Sequence, residues 1–148
     1  MGASTTHSLP SRRSLLVLVA LCGALAAGGC GGSDDDTTDK RAGDEASVRG
    51  VLSALQAAAI AGDGKRICTQ IFTRKLAKSV TTSSKSGSCA DEVRRNLFSP
   101  TTRLTVQNVT LADEANATAT VKEASDKTST VFFVRQSGRW RIRSVQAT

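Results

Sequence analysis

The hydrophobic period of the chain changes at Ser99-Pro100. From residue 44 up to this point, apolar residues recur every three or four positions, as on the buried face of an amphipathic helix. From residue 104 onward, apolar and polar residues alternate, as in strands with one buried face. Helices followed by strands are typical of an α+β domain, in which an antiparallel sheet packs on the helices. At 148 residues, one such domain is the expected number.

Three helices are predicted in the first half. The first begins at Asp44, and its apolar face consists of Val48, Val51, Leu52, Leu55 and Ala59. Gly62 suits a left-handed helix end, and Asp63 suits the N-cap of a second helix over 64–76. The polar segment 79–87 is predicted to be a loop. Ser88 and the acidic residue three positions later resemble a weak capping box, which opens the third helix.

Four strands are predicted in the second half. The first strand changes phase near Gln107-Asn108, as a β-bulge would make it do. Turns are expected at 113–114 and 125–127, and the apolar run 131–134 is expected to be a central strand covered on both faces. Ser137-Gly138 suits a two-residue hairpin turn before the last strand. The strands are therefore predicted to form an antiparallel meander.

The N-terminal segment carries export signals. Arg12 and Arg13 precede the uncharged run 15–27, which is shorter than the roughly 20 residues of a membrane-spanning helix. The sequence Ala27-Gly28-Gly29-Cys30 resembles the bacterial lipobox, in which the cysteine thiol is acylated and the chain is cut before it. Cys22 is the competing cysteine, but a bulky leucine precedes it. An ordinary cleaved secretory signal is the alternative interpretation.

The segment after Cys30 contains no hydrophobic residue as far as residue 39, so it is predicted to be a flexible tether over 30–43. The predicted organisation is a signal peptide over 1–29, this tether, and a folded domain over 44–148. Residues 41–148 contain 17 of the 20 Lys and Arg residues and nine of the 13 Asp and Glu residues, which gives this part a net charge of +8. The folded part is therefore basic.

Proton-transfer chemistry has few candidate residues. The single histidine, His7, lies in the segment predicted to be removed, and the chain contains no tyrosine. Neither a Ser-His-Asp triad nor a histidine metal site can then be built, so no metal and no cofactor are predicted. Among the acidic residues, Glu123 alone lies on a predicted strand without a role in a turn or a cap. Catalysis is not expected.

Two cysteines remain after the predicted cleavage and acylation, Cys68 and Cys89. An even number of cysteines in an exported domain indicates a disulfide. A bridge that closes a loop of this length would contribute about 3 kcal/mol. A reactive thiol is the alternative, but neither a CxxC motif nor a histidine accompanies these cysteines.

The order of elements resembles the nuclear transport factor 2-like superfamily, which includes SnoaL-like proteins. The cues are the sequence AAAIAGD over 57–63, the bulged strand, and the closing sequence GRWRI over 138–142. The resemblance implies a cone-shaped α+β fold, in which three helices pack on a curved four-stranded antiparallel sheet and enclose a pocket. Members use the pocket for catalysis, binding or dimerisation, so the fold alone does not select the function.

Two surfaces are candidates for binding. The expected pocket is lined by aromatic residues, which are Phe72, Phe98, Phe132, Phe133 and Trp140. A candidate basic face consists of Arg135, Arg139, Arg141 and Arg143, and alternation places the last three on one side of the sheet. Packing in the core is the alternative for the aromatic residues, and a solvated face with acidic partners is the alternative for the arginines.

The sequence thus predicts a lipoprotein anchored through Cys30 at the extracytoplasmic face of a bacterial membrane, with a non-catalytic binding domain. A secreted enzyme of the same fold that uses a carboxylate base is the alternative. The expected partners are the bilayer and either a small apolar ligand or an anionic envelope polymer, and a homodimer is left open. Nucleic acid is not expected, because the chain lacks a series of exposed aromatic residues.

Overall fold

The structure, a computed structural model, describes residues 35–147. The predicted signal peptide 1–29 and the lipidation residue Cys30 lie outside the described residues. The described part of the chain folds into helices followed by one four-stranded antiparallel sheet. The predicted α+β class is therefore confirmed.

The helical half contains four helices, two of which continue into π-helical turns. They are α1 (Asp35–Ile60), α2 (Gly64–Arg66, continued by Ile67–Ile71), α3 (Arg74–Ser83) and α4 (Cys89–Glu92, continued by Val93–Leu97). The prediction of a single helix over 64–76 is wrong, because the chain is extended at Phe72. The backbone N–H of Thr73 donates to the carbonyl of Ile142, and its hydroxyl accepts the N–H of Leu76, so the chain leaves α2, contacts the last strand and begins α3.

Helix α1 begins at Asp35, nine residues before the predicted start at Asp44. The C-terminal part of the predicted tether 30–43 is therefore helical. Two side chains of this part contact the first strand and the turn after it: Lys40 Nζ lies 2.6 Å from Glu114 Oε1, and Arg41 donates to the carbonyl of Leu111. These polar contacts leave no hydrophobic periodicity in the sequence, which is why the pattern did not indicate a helix here.

Helix α3 extends to Ser83, into the segment predicted to be a loop over 79–87. The hydroxyl groups of Thr81, Thr82 and Ser83 each donate to the carbonyl four residues earlier. Such bonds let Ser and Thr remain within a helix, although these residues usually favour its ends. Val80 packs against the core and adds tertiary support.

The predicted helix boundaries at Gly62, Asp63 and Ser88 are confirmed. Gly62 has φ +65°, and its N–H donates to Ala59 while the N–H of Asp63 donates to Ala58, which is the Schellman pattern. The Asp63 carboxylate accepts the N–H of Arg66 and thus caps α2. Ser88 accepts the N–H of Asp91 at the start of α4 in the same way.

The sheet is the predicted meander. Its strands are β1 (Leu104–Leu111), β2 (Asn116–Glu123), β3 (Thr128–Gln136) and β4 (Arg139–Ala147), in that spatial order. The register of β1 on β2 skips Gln107, which is the predicted bulge. Ser137 and Gly138 both have positive φ, as a two-residue type I′ hairpin turn requires.

One face of the sheet packs on α1. The buried face of α1 consists of Val48, Leu52, Leu55, Ala58 and Ala59, and it shares one core cluster with inward residues of all four strands. On β2 these inward residues are Ala117, Ala119 and Val121. Helix α1 makes most of its contacts with the sheet at β1, and fewer at β4. Strand β3 is interior in the sheet, but Phe132 and Val134 on its other face are only half-buried, so the predicted cover on both faces is wrong.

Helices α2 and α4 meet at a disulfide and at a glycine. Cys68 and Cys89 form the predicted disulfide, with their Cα atoms 6.2 Å apart. Four residues before Cys68, Gly64 packs on the backbone of α4. A Cβ atom built at Gly64 would lie 2.2 Å from the carbonyl oxygen of Ala90, so no larger residue fits there without displacing backbone.

We predict that Gly64→Ala destabilises the domain by about 1–3 kcal/mol, because the added methyl group overlaps α4. Gly43→Ala is the matched control, since Gly43 is helical, exposed and has nothing within 4 Å of an added Cβ. The control should raise stability by about 0.5–1 kcal/mol through helix propensity. The measurement is urea unfolding of the domain, and equal effects of the two substitutions would contradict the prediction.

Candidate functional site

A cleft lies between α1, the end of α2 and the β3–β4 hairpin. We call it the α1–hairpin cleft, and its volume is about 560 Å³. This volume is within the usual range of small-molecule sites, about 300–1,000 Å³. Three arginines and one aspartate line it, which leaves an excess of two positive charges.

The wall from α1 is made of small and polar side chains. Asp44, Ser47, Gly50 and Ala54 follow one another at three- and four-residue spacing, so they share one face of the helix. A Cβ atom built at Gly50 would meet no atom within 4 Å, so open space lies beside this glycine. Half-buried Val51 and Ala54 add an apolar part to this wall.

The hairpin wall is organised by Arg135 and Trp140, which are partners in the register of β3 and β4. The Arg135 guanidinium lies over the indole ring, 4.7 Å from its centroid, and donates to Asp44 Oδ1. The side chains of Asp44 and Arg135 are 17% and 26% exposed, so water screens their ion pair only in part. The ion pair connects α1 to the hairpin, and the cation–π contact joins the two strands of the hairpin.

Two hydrogen-bond donors of this wall have no acceptor. They are Nε of Arg135 and Nε1 of Trp140, and both are buried. A buried donor without a partner is rare in proteins, and each costs roughly 1–3 kcal/mol. These are the only two such side-chain atoms found in residues 37–147, and both belong to residues that line the cleft.

The third wall comes from α2 and its π-helical turn. It consists of Arg66, Gln70 and Ile71, of which Ile71 is buried and the other two are exposed. Arg139 faces the same cleft from β4. Within the described part of the chain, the guanidinium groups of Arg66 and Arg139 make no ion pair and no side-chain hydrogen bond. The cleft therefore holds more donors than acceptors.

Two other depressions do not share this excess of hydrogen-bond donors. One, of about 400 Å³, lies between the start of α1 and the β1–β2 turn, where Lys40 and Glu114 pair with each other. Another, of about 720 Å³, lies at the β2–β3 turn beside the ion pair of Lys122 and Asp126. Neither depression contains a buried donor without a partner among residues 37–147. The α1–hairpin cleft is thus the strongest candidate site in the described residues.

The predicted aromatic pocket does not form. Phe72, Phe133 and Trp140 are buried in the core, and Phe98 is half-buried against it. Phe132 lies on the opposite face of the sheet, where its register partners are Thr118 and Ser144. Only Trp140 of the five lines the α1–hairpin cleft. Phe132 and Phe133 point to opposite faces because adjacent strand residues alternate, and Phe72 and Phe98 lie at the ends of the two π-helical turns.

The four arginines of the predicted basic face do not share a face. Arg139 and Arg141 lie on one side of the hairpin, whereas Arg135 lies on the other side and pairs with Asp44. Arg141 donates to the carbonyls of Thr69 and Phe72, at the end of the π-helical turn. The register of β4 skips Arg143, which is a bulge that the sequence analysis did not predict.

Most residues of the cleft were not predicted from the sequence. Asp44 was assigned to a helix start, but it lies within α1 and faces the hairpin. Arg66, Gln70 and Gly50 carried no motif. The three-residue spacing of Asp44, Ser47 and Gly50 indicated a polar stripe on α1, beside its apolar stripe. The sequence did not show that α2 and the hairpin lie opposite this polar stripe, because their placement depends on tertiary packing.

Comparisons with known proteins add no identity: no protein-family model, no curated protein and no solved structure matches this chain. Among the described residues, no helix has both the length and the apolar character needed to cross a membrane. The same residues contain no group of three or more His, Cys, Asp or Glu side chains that could hold a metal ion.

Two carboxyl groups in the β1–β2 turn make the stability of the domain depend on pH. The N–H of Ala115 and the side chain and N–H of Asn116 donate to the Asp113 carboxylate, which lowers its pKa. A hydrogen bond and the charge of Lys40 lower the pKa of Glu114 in the same way. A pKa that is lower in the folded state than in the unfolded state stabilises the fold while the carboxyl group is ionised. For aspartate, the stabilisation is complete above the unfolded-state pKa of about 3.9 and is lost as the pH falls further.

We therefore predict that the stability advantage of the wild-type domain over Asp113→Asn is constant above about pH 5 and shrinks below about pH 4. Urea unfolding at several pH values measures this difference. An NMR titration of the Asp113 carboxyl carbon gives the pKa directly. A titration midpoint at or above the usual aspartate value would contradict the assignment.

Proposed function

We propose that this chain is a lipid-anchored protein of the extracytoplasmic membrane face, whose nuclear transport factor 2-like domain binds a small ligand in the α1–hairpin cleft without catalysis. The anchoring part of the proposal is supported by the sequence Ala27-Gly28-Gly29-Cys30 after an uncharged run of signal-peptide length. Two or three acyl chains on this cysteine would hold the protein at the bilayer, whereas one chain gives marginal attachment.

The binding part rests on one observation, which is the pair of buried donors without acceptors at Arg135 and Trp140. A domain gains no stability from leaving such donors unpaired. Their cost is explained if the wall of the cleft is built for a ligand rather than for packing. The excess positive charge and the open space beside Gly50 support the same interpretation.

The family part is supported by the order of elements. Helices precede a bulged four-stranded meander that ends in a tight hairpin, as the resemblance implies. The cone shape and the membership itself remain part of the proposal. Because folds of this kind serve many functions, the argument for binding depends on the cleft and not on the fold.

One observation favours the catalytic alternative. Asp44 is the carboxylate among the described lining residues of the cleft, and a carboxylate base is what an enzyme of this fold would need. However, Asp44 Oδ1 already accepts a hydrogen bond from Arg135, and neither histidine nor tyrosine occurs after residue 7. The arrangement therefore suits a structural ion pair at the edge of a binding site better than a free base.

We predict that a Cys30→Ala precursor stays uncleaved or loses tight membrane association, because the acylated thiol is removed. Cys22→Ala is the matched control and should leave processing unchanged. Radiolabelled palmitate incorporation measures acylation of the cysteine, and membrane fractionation measures attachment of the protein to the membrane. If the Cys30→Ala precursor were cleaved normally and stayed on the membrane until detergent released it, the lipoprotein assignment would be contradicted.

We predict that Gly50→Phe prevents ligand binding, because the ring fills the open space beside α1. Gly43→Phe is the matched control, since Gly43 lies on the same helix, has open space around it and does not line the cleft. Native mass spectrometry of protein purified from its own cell envelope should show a bound small molecule in the wild type and in Gly43→Phe only. A wild-type protein without any bound molecule would contradict the proposal.

A further inference from the structure

We propose that the ligand of the α1–hairpin cleft is an organic anion with an oxyanion head, either a carboxylate or a phosphate monoester, on an apolar body. This inference rests on the proposed function and adds the chemical class of the ligand. It follows from the donors, charges and apolar surface of the cleft, which are considered in turn.

The donors without partners come from the α2 wall and the hairpin wall of the cleft. Arg66 and Arg139 lack partners within the described residues, and Nε of Arg135 and Nε1 of Trp140 lack acceptors. An indole N–H and a guanidinium donate hydrogen bonds and accept none. The lining carboxylate, Asp44, is already bound to Arg135, and the Ser47 hydroxyl donates to the carbonyl of Gly43. A ligand that completes this site must therefore bring acceptors.

The charge of the cleft selects an anion among the molecules with acceptors. Two exposed arginines from different elements, Arg66 and Arg139, line the cleft, and only one of the three lining arginines has a carboxylate partner. Guanidinium groups bind carboxylate and phosphate through two parallel hydrogen bonds, which is stronger than binding to a neutral carbonyl. The anion first contacts Arg66 and Arg139, which are exposed. Protein covers Nε of Arg135 and Nε1 of Trp140, so these two donors reach the anion only after the Arg135 or Trp140 side chain changes rotamer.

The remaining surface of the cleft selects an organic anion over an inorganic one. Val51, Ala54 and Ile71 line the cleft together with Trp140, so the cleft has apolar as well as charged surface. A volume of about 560 Å³ exceeds the need of a lone phosphate ion and leaves room for an apolar body. Such a body gains affinity by removing this surface from water.

The test uses four probes: octanoate, octyl phosphate, 1-octanol and inorganic phosphate. Trp140 is the only tryptophan of the chain, so its fluorescence and its single indole N–H signal in NMR report on the cleft. We expect octanoate or octyl phosphate to bind at least about tenfold more tightly than 1-octanol, and to weaken as salt increases. The tighter of the two anions identifies the head group. Inorganic phosphate should bind more weakly than octyl phosphate.

The variants separate the cleft from general surface charge. Arg66→Gln and Arg139→Gln should each weaken binding of the anionic probe about tenfold and leave 1-octanol binding unchanged. Arg143→Gln is the matched control, because Arg143 is exposed on the same strand as Arg139 but does not line the cleft. All three substitutions are at exposed positions, and equal unfolding midpoints check that each variant is folded.

Equal affinity for octanoate, octyl phosphate and 1-octanol would overturn the inference, as would equal losses in Arg143→Gln and the two cleft variants. If these probes bind equally and Gly50→Phe abolishes their binding, the cleft remains the binding site and only the anionic class is wrong. If Gly50→Phe leaves the binding of the anionic probe unchanged, the proposed function is wrong as well.

Discussion

Helix α1 packs on the inner face of the sheet, and the other elements are arranged around this contact. Val48 and Leu52 are almost fully buried, and burial of such side chains stabilises a domain by about 1.5–3 kcal/mol each. The same helix carries two further contacts from its other faces: Gln56 accepts the N–H of Leu104 at the start of β1, and Asp44 binds Arg135 of the hairpin. Helix α1 thus contacts the first hairpin at β1 and the last hairpin at β3.

The cleft forms because two adjacent stripes of α1 carry different side chains. The apolar stripe of α1 fills the space under the strands, whereas the adjacent stripe of small residues from Asp44 to Ala54 leaves space beside the hairpin. The disulfide and the contact of Gly64 with Ala90 hold α2 against α4, and α2 presents Arg66 to this space. The positions of the donors in the cleft therefore depend on three separate packing contacts, and a site fixed in this way would lose little conformational freedom on binding the proposed ligand.

Local sequence signals gave accurate predictions where the physics is local. The glycine at residue 62, the hairpin turn at 137–138 and the bulge at Gln107 are set by backbone dihedrals and by side-chain alternation over a few residues. The predictions were wrong where a distant contact overrides the local pattern. Phe72 breaks the expected helix because its neighbour Thr73 bonds to β4, and α1 begins early where Lys40 and Arg41 contact the β1–β2 turn.

The sequence by itself determined the α+β class, the meander, the disulfide and the absence of histidine and tyrosine from the part after residue 7, because periodicity and composition are properties of the chain alone. Only the tertiary structure decided which polar groups meet. Arg66, Asp44 and Trp140 are far apart in sequence and belong to three elements whose relative placement follows from core packing. The same packing buried Phe72, Phe133 and Trp140, which the sequence had suggested as pocket residues, and left Phe98 and Phe132 half-buried.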